Sequence, residues 1–154
     1  MASFHGGRLG QTIPPLDALE DEIDKRVASG ASEEDVTLAV IEDFEKSAAT
    51  VNARTTPLVP VSGIIVTGAG ILTKQEASDI GTALALLAML ITLVALGFLA
   101  TSVFTHAGRP SVGFEPTRAD VAFVHDRLVV KESNARVGSL LAFAGFIVLL
   151  VVIL

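Results

Sequence analysis

Three histidines, His5, His106 and His125, are the only side chains whose ordinary titration falls near neutral pH. They are scattered, and no His-x3-His or His/Glu cluster accompanies them, so no metal site is expected. Cysteine is absent, which excludes thiol catalysis, disulfides and Cys-ligated metals. His125 precedes Asp126, a pairing that could orient an imidazole as a general base, and Ser133 lies further along the same stretch. On one helix His125 and Ser133 stand about 12 Å apart, far outside hydrogen-bond reach. These residues read better as solvated faces of an amphipathic helix. The Gly-rich HGGRLGQT stretch (His5 to Thr12) invites a phosphate-loop reading, but it lacks the GK[ST] ending and no strand precedes it. There is no nucleophile elbow, no carboxylate pair placed for a cleft and no phosphate cradle. The expectation is a protein that is not an enzyme and takes no cofactor.

The elements that carry these residues are set by composition. The chain has 154 residues, 51% hydrophobic and only 18% charged, with a mean hydropathy of +0.62. A soluble domain carries about a quarter charged residues. Here the apolar excess is clustered, which points to an all-α membrane protein. The net charge of −6 argues against nucleic acid or anionic lipid as the main partner. Trp and Tyr are missing, so other residues must occupy the membrane interface. The opening MASFHGGRLGQTIPP has no apolar signal-peptide core, and the N-terminus is expected to stay where it is made.

Two spans follow directly: residues 81–104 and 137–154 carry no charge and are long enough to cross hydrocarbon. A third candidate, residues 55–73, holds Pro57, Pro60, Gly63, Gly68 and Gly70, and could instead be a linker or re-entrant segment. Charge placement favours a span. Arg8, Lys25, Arg26, Lys46 and Arg54 precede it; Arg109, Arg118, Arg127, Lys131 and Arg136 lie between the second and third spans; Lys74 alone lies in the first hairpin. Three spans put both groups of five on one side, as the positive-inside rule expects, whereas two spans leave no bias. Pro57 fits the first turn of a helix, where its missing N–H has no intrahelical partner. The expected location is the cell membrane, multi-pass, with the N-terminus cytoplasmic and the C-terminus, Leu154, outside.

The chain enters two of these spans by the same route. Asn52-Ala-Arg54 leads into the first and Asn134-Ala-Arg136 into the third, and the frames that follow share Leu58/Leu140, Gly63/Gly145, Ile65/Ile147, Val66/Val148, Ile71/Ile153 and Leu72/Leu154. Duplication and shared apolar composition both account for this. Arg54 and Arg136 are expected to snorkel at the interface, stem in hydrocarbon and guanidinium among the headgroups.

Outside the spans, residues 1–14 read as disordered. Leu16, Leu19, Ile23 and Val27 recur at helical spacing, with Gly30 as a C-cap. Ser32-Glu-Glu-Asp35 resembles a capping-box start, and Val36, Val40 and Phe44 carry a second amphipathic helix. Residues 15–54 therefore form a cytoplasmic helical hairpin with solvated acidic faces. Residues 55–154 form the membrane domain, including a cytoplasmic loop and juxtamembrane helix over 105–136. Thr117-Arg-Ala-Asp120 is another capping-box pattern, and the helix it opens runs on into the third span.

Small residues recur at helical spacing in every span: Gly63, Thr67 and Gly70; Ala85, Ala88, Thr92 and Ala95; Gly138, Ala142 and Gly145. Such faces let helices approach closely, so a packed three-helix unit is expected, multiplied in a homo-oligomer or joined to another membrane protein. No span holds an ionisable residue, which argues against ion-coupled transport.

NARTTPLVPVSGIIVTGAGIL at the first entrance and DRLVVKESNARVGSLLAFAGFIVLL at the last helix resemble the transmembrane effectors of Pycsar antiphage systems. Those are small three-span proteins with a helical lead-in and a long helix running into the last span. The likeness covers roughly residues 45–154. Their entrance favours Arg-Ala-Asp-x-Lys-Ala, whereas Val51-Asn-Ala-Arg-Thr-Thr56 has neither the acid nor the lysine. The resemblance implies a membrane-perturbing effector. The residues by themselves point to a non-catalytic membrane subunit or interaction module whose partners are the lipid bilayer and protein, not nucleic acid.

Overall fold

Pro15 holds the backbone extended, and from it the first helix, α1 (Leu16–Ala28), departs. The helix ends as its sequence requires. Gly30 takes φ +97°, Gly30 N–H bonds the Val27 carbonyl at 2.9 Å and Ala31 N–H bonds the Arg26 carbonyl at 3.2 Å. That is a Schellman closure, and glycine fills its left-handed position without strain. α2 (Glu33–Thr55) starts directly after Ser32 with Glu33, Glu34 and Asp35 in its first turn, where the positive end of the helix dipole favours them.

α2 stops where proline forces it to. Thr56 and Pro57 form a turn, and α3 (Leu58–Leu72) leaves from Pro57 with Pro60 in its first turn. α4 (Asp79–Phe104) and α5 (Arg118–Ile153) complete the chain. The computed structural model describes residues 13–74, 79–105 and 116–153, and every regular element among them is a helix. The readings on His5, His106, HGGRLGQT, the stretch after Thr105 and the Leu154 carboxylate lie outside the described residues.

The helices fall into two units. The first takes described residues 13–50 and 116–130, so the opening part of α5 belongs with α1 and α2. The sequence reading gives that stretch to the membrane domain instead. The physical reason for the difference is Val121, Val124 and Leu128, which are buried with Leu19, Ile23, Val36, Val40, Ile41 and Phe44 in one core. A two-helix hairpin has no way to cover its apolar stripe from both sides. Arg118 adds polar closure, with Nη2 2.8 Å from Asp24 Oδ1 and Nε donating to Glu33 Oε1 at 2.6 Å. The capping box forms as read: Thr117 N–H and Oγ1 both donate to Asp120 Oδ2, at 2.8 and 2.7 Å.

The second unit takes residues 51–105 and 131–153. Its α3 has 15 residues, too few to cross hydrocarbon by itself, but with the last turn of α2 the helical stretch from 51 to 72 reaches about 33 Å. Three helical stretches, Glu33–Leu72, Asp79–Phe104 and Arg118–Ile153, are long and apolar enough to span a membrane.

Candidate functional site

The second unit is built around α4 and α5, which meet along one face each. Buried on α4 are Ala85, Ala88, Thr92, Ala95, Leu99 and Ser102. Facing them on α5 are Lys131, Ala135, Gly138, Ala142, Gly145 and Leu149, all buried. Both series advance by alternating steps of three and four, the 3.5-residue period of a coiled-coil seam. The pairing is antiparallel: Ser102 meets Lys131, Leu99 meets Gly138, and Ala88 and Thr92 meet Gly145.

Closeness of approach explains the glycines. A Cβ on Gly138 would stand 2.8 Å from Leu99 Cγ and 3.1 Å from the Leu99 backbone nitrogen. One on Gly145 would collide with Thr92 Oγ1 and stand 3.3 Å from the Ala88 carbonyl oxygen. These two positions set the α4–α5 spacing.

α3 joins through another face. Ser62, Ile65 and Ala69 are buried, and Ile65 and Ala69 pack with Ala88 and Leu149. Its run Gly63, Thr67 and Gly70 lies elsewhere: Thr67 is exposed, and nothing stands within 4 Å of a Cβ on Gly63 or Gly70. So the structure places the small residues of the second and third spans inside the bundle and leaves those of the first uncovered.

The residue that the sequence reading counts only as a loop cation is Lys131. It is 1% exposed. Its Nζ donates to the carbonyl oxygens of Ser102 at 2.7 Å and Thr105 at 2.9 Å, while Ser102 Oγ donates to the Lys131 carbonyl at 3.0 Å. The last carbonyls of a helix have no intrahelical partner and carry the negative end of its dipole. Lys131 therefore caps α4, and the carbonyls make burial of the ammonium tolerable. A signal for it exists in the sequence. Val121, Val124, Leu128, Lys131, Ala135 and Gly138 keep one unbroken three-four alternation, which places Lys131 on the buried stripe.

Three threonine hydroxyls on the spans are committed to backbone, whereas Ser62 Oγ on α3 is buried without a hydrogen-bond partner. Thr67 Oγ1 donates to the Gly63 carbonyl, Thr92 Oγ1 to Ala88 and Thr101 Oγ1 to Phe98. Arg54 is exposed, and Arg136 is exposed and paired with Glu132.

His125 departs from the solvated role expected of it. It is buried beside Phe44, ring centroids 5.9 Å apart, and its Nε2 lies 2.9 Å from the Pro14 carbonyl oxygen. A carbonyl only accepts, so Nε2 carries the hydrogen. Nδ1 stands 3.5 Å from Asp126 Oδ1, and Ser133 is exposed. The imidazole anchors the chain ahead of α1. No group of three metal-ligating side chains occurs among the described residues. Comparison with family models, with curated proteins and with solved structures finds no match to this chain.

Proposed function

We propose that this chain is a multi-pass integral membrane protein that works through helix-to-helix contact rather than chemistry. One observation carries the reading: the two units have opposite packing chemistry. The first buries Leu, Ile, Val and Phe and turns its charges outward, as a protein in water does. The second buries Ala, Gly, Ser and Thr and turns Leu, Ile and Phe outward, with Ile64 72% and Leu140 70% exposed. In water so much exposed apolar surface would aggregate. In lipid it is the ordinary arrangement, because small residues draw the helices together. Residues 51–72, α4 and the part of α5 beyond Arg136 then cross the bilayer. Arg54 and Arg136 sit at the inner interface, and the first unit remains in the cytoplasm.

The contact surface is the uncovered face of α3. Gly63, Thr67 and Gly70 offer a close approach that no helix among the described residues uses, and its occupant is a second copy or another membrane protein. Extraction and a topology reporter test the membrane reading. The chain should stay with the membrane in alkaline carbonate, and a reporter fused after Thr73 should report the outside. A cytoplasmic signal there defeats the three-span topology.

A second reading, a Pycsar-like membrane-perturbing effector, draws on the same face. On this reading, permeabilisation would need several copies assembled through α3. Expression in a bacterial host with a potential-sensitive dye separates the two readings. Depolarisation with growth arrest favours the effector, and an unchanged potential at high expression favours the contact module.

A further inference from the structure

One helix serves both units. The first takes α5 as far as Val130 and the second takes it from Lys131, with no break in the helix there. The buried stripe is unbroken too. Val121, Val124 and Leu128 lie in the first core, and Lys131, one turn beyond Leu128, caps α4. α2 crosses the same division, from Thr50 to Val51, but is gripped less closely there. After Ala48 its next buried residue is Thr55, and Pro57 ends the helix just beyond.

Lys131 reaches the Ser102 and Thr105 carbonyls from a helical backbone, which fixes where its side chain starts and points. Most of a helix's stability in a protein comes from tertiary packing of its apolar face. Without the first core, the stretch from Arg118 to Val130 loses that packing, and the remaining helix would start near Lys131. There the positive end of the helix dipole disfavours a cation. In the intact helix Lys131 stands more than three turns from the start and is clear of that end.

We propose that Lys131 couples the order of α4's last turn to the folding of the first unit. While α1, α2 and the opening of α5 stay packed, the cap is held. When that core loosens, the cap is released and the last turn of α4 frays. A partner that tightens or loosens the first unit thereby acts on the α4 end without touching it. The coupling runs through α5 and stands apart from either reading of the protein's task.

Hydrogen exchange of the full chain in mild detergent, read by mass spectrometry, follows α2 from Val36 to Phe44 and the α4 end from Ser102 to Phe104 together. In rising urea the α4 end of the parent chain should lose protection along with α2, while the α4 amides from Ala88 to Ala95 keep theirs. Leu128→Ala should speed exchange at the α4 end about tenfold, and Val129→Ala, at an exposed neighbour, should not. Lys131→Met should speed it as much by itself, because the charge-assisted bonds are lost, and adding Leu128→Ala should then bring no further change there. An α4 end that stays protected while α2 opens, in urea or in Leu128→Ala, overturns the coupling. So does loss along all of α4 at once in urea, since the two units would then unfold as one. A full Leu128→Ala effect in the Lys131→Met chain overturns it as well, because the route would not pass through Lys131. The urea measurement uses the parent chain, so it decides even where a variant fails to fold.

Discussion

Gly145 and Gly63 occupy equivalent places in the two Asn-Ala-Arg frames, yet they answer substitution differently. A methyl on Gly145 meets Thr92 Oγ1 and the Ala88 carbonyl, whereas one on Gly63 meets open space. Gly145→Ala should cost about 1–3 kcal/mol through overpacking. Gly63→Ala should be neutral or stabilising by up to about 1 kcal/mol, from helix propensity. Thermal unfolding in mild detergent followed by circular dichroism compares the two, and equal losses would contradict the seam. Asp120 supplies a pH-dependent counterpart. The Thr117 hydroxyl, and then the Thr117 backbone N–H, hold its carboxyl below the ordinary range. A depressed carboxylate contributes stability above its unfolded value, about pH 3.9, and that stability is lost as pH falls through the folded value. Unfolding should therefore show no Asp120 contribution to its pH dependence near neutrality and a decline in acid. Asp120→Asn should reduce the acid decline, and an unaltered pH curve would remove the cap from the account.

At the scale of the element, α5 is one 36-residue helix whose buried stripe changes chemistry along its length. Up to Leu128 the stripe is large and apolar; from Ala135 to Gly145 it is small. On the proposed membrane reading, the first half meets water and the second meets lipid. Leu128→Ala should destabilise the first unit by about 2–5 kcal/mol. Its neighbour Val129 is exposed, and Val129→Ala should stay within about 0.5 kcal/mol. Hydrogen exchange of the α2 amides distinguishes them, since only the first change should speed exchange across Val36 to Phe44. This division was partly legible from the sequence. Val121, Val124 and Leu128 form an evident stripe, but a stripe does not say which helices cover it.

At the scale of the whole molecule, the uncovered face of α3 is the surface on which the proposed contact depends. Gly63→Leu with Gly70→Leu should leave the monomer folded, because both positions are open, and should abolish crosslinking between copies in native membranes. If crosslinking persists, α3 is not the contact. If crosslinking is absent from the parent chain as well, the occupant is a different membrane protein.

Periodicity, proline and charge determine a great deal here without any structure. The helices follow from apolar spacing, the break before α3 from Pro57, the turn after α1 from Gly30 and the start of α5 from Thr117 with Asp120. All are local: each depends on residues within a turn or two of one another. Tertiary structure decided which faces meet. It brought the opening of α5 into the core with α1 and α2, put Ser62, Ile65 and Ala69 inside where Gly63, Thr67 and Gly70 have the better small-residue spacing, and buried Lys131 at the end of α4. The reason is that an uncapped helix end, a methyl-sized gap and an uncovered apolar stripe are each resolved by whichever distant segment fits. That fit depends on three-dimensional proximity, which the order of residues along the chain does not display.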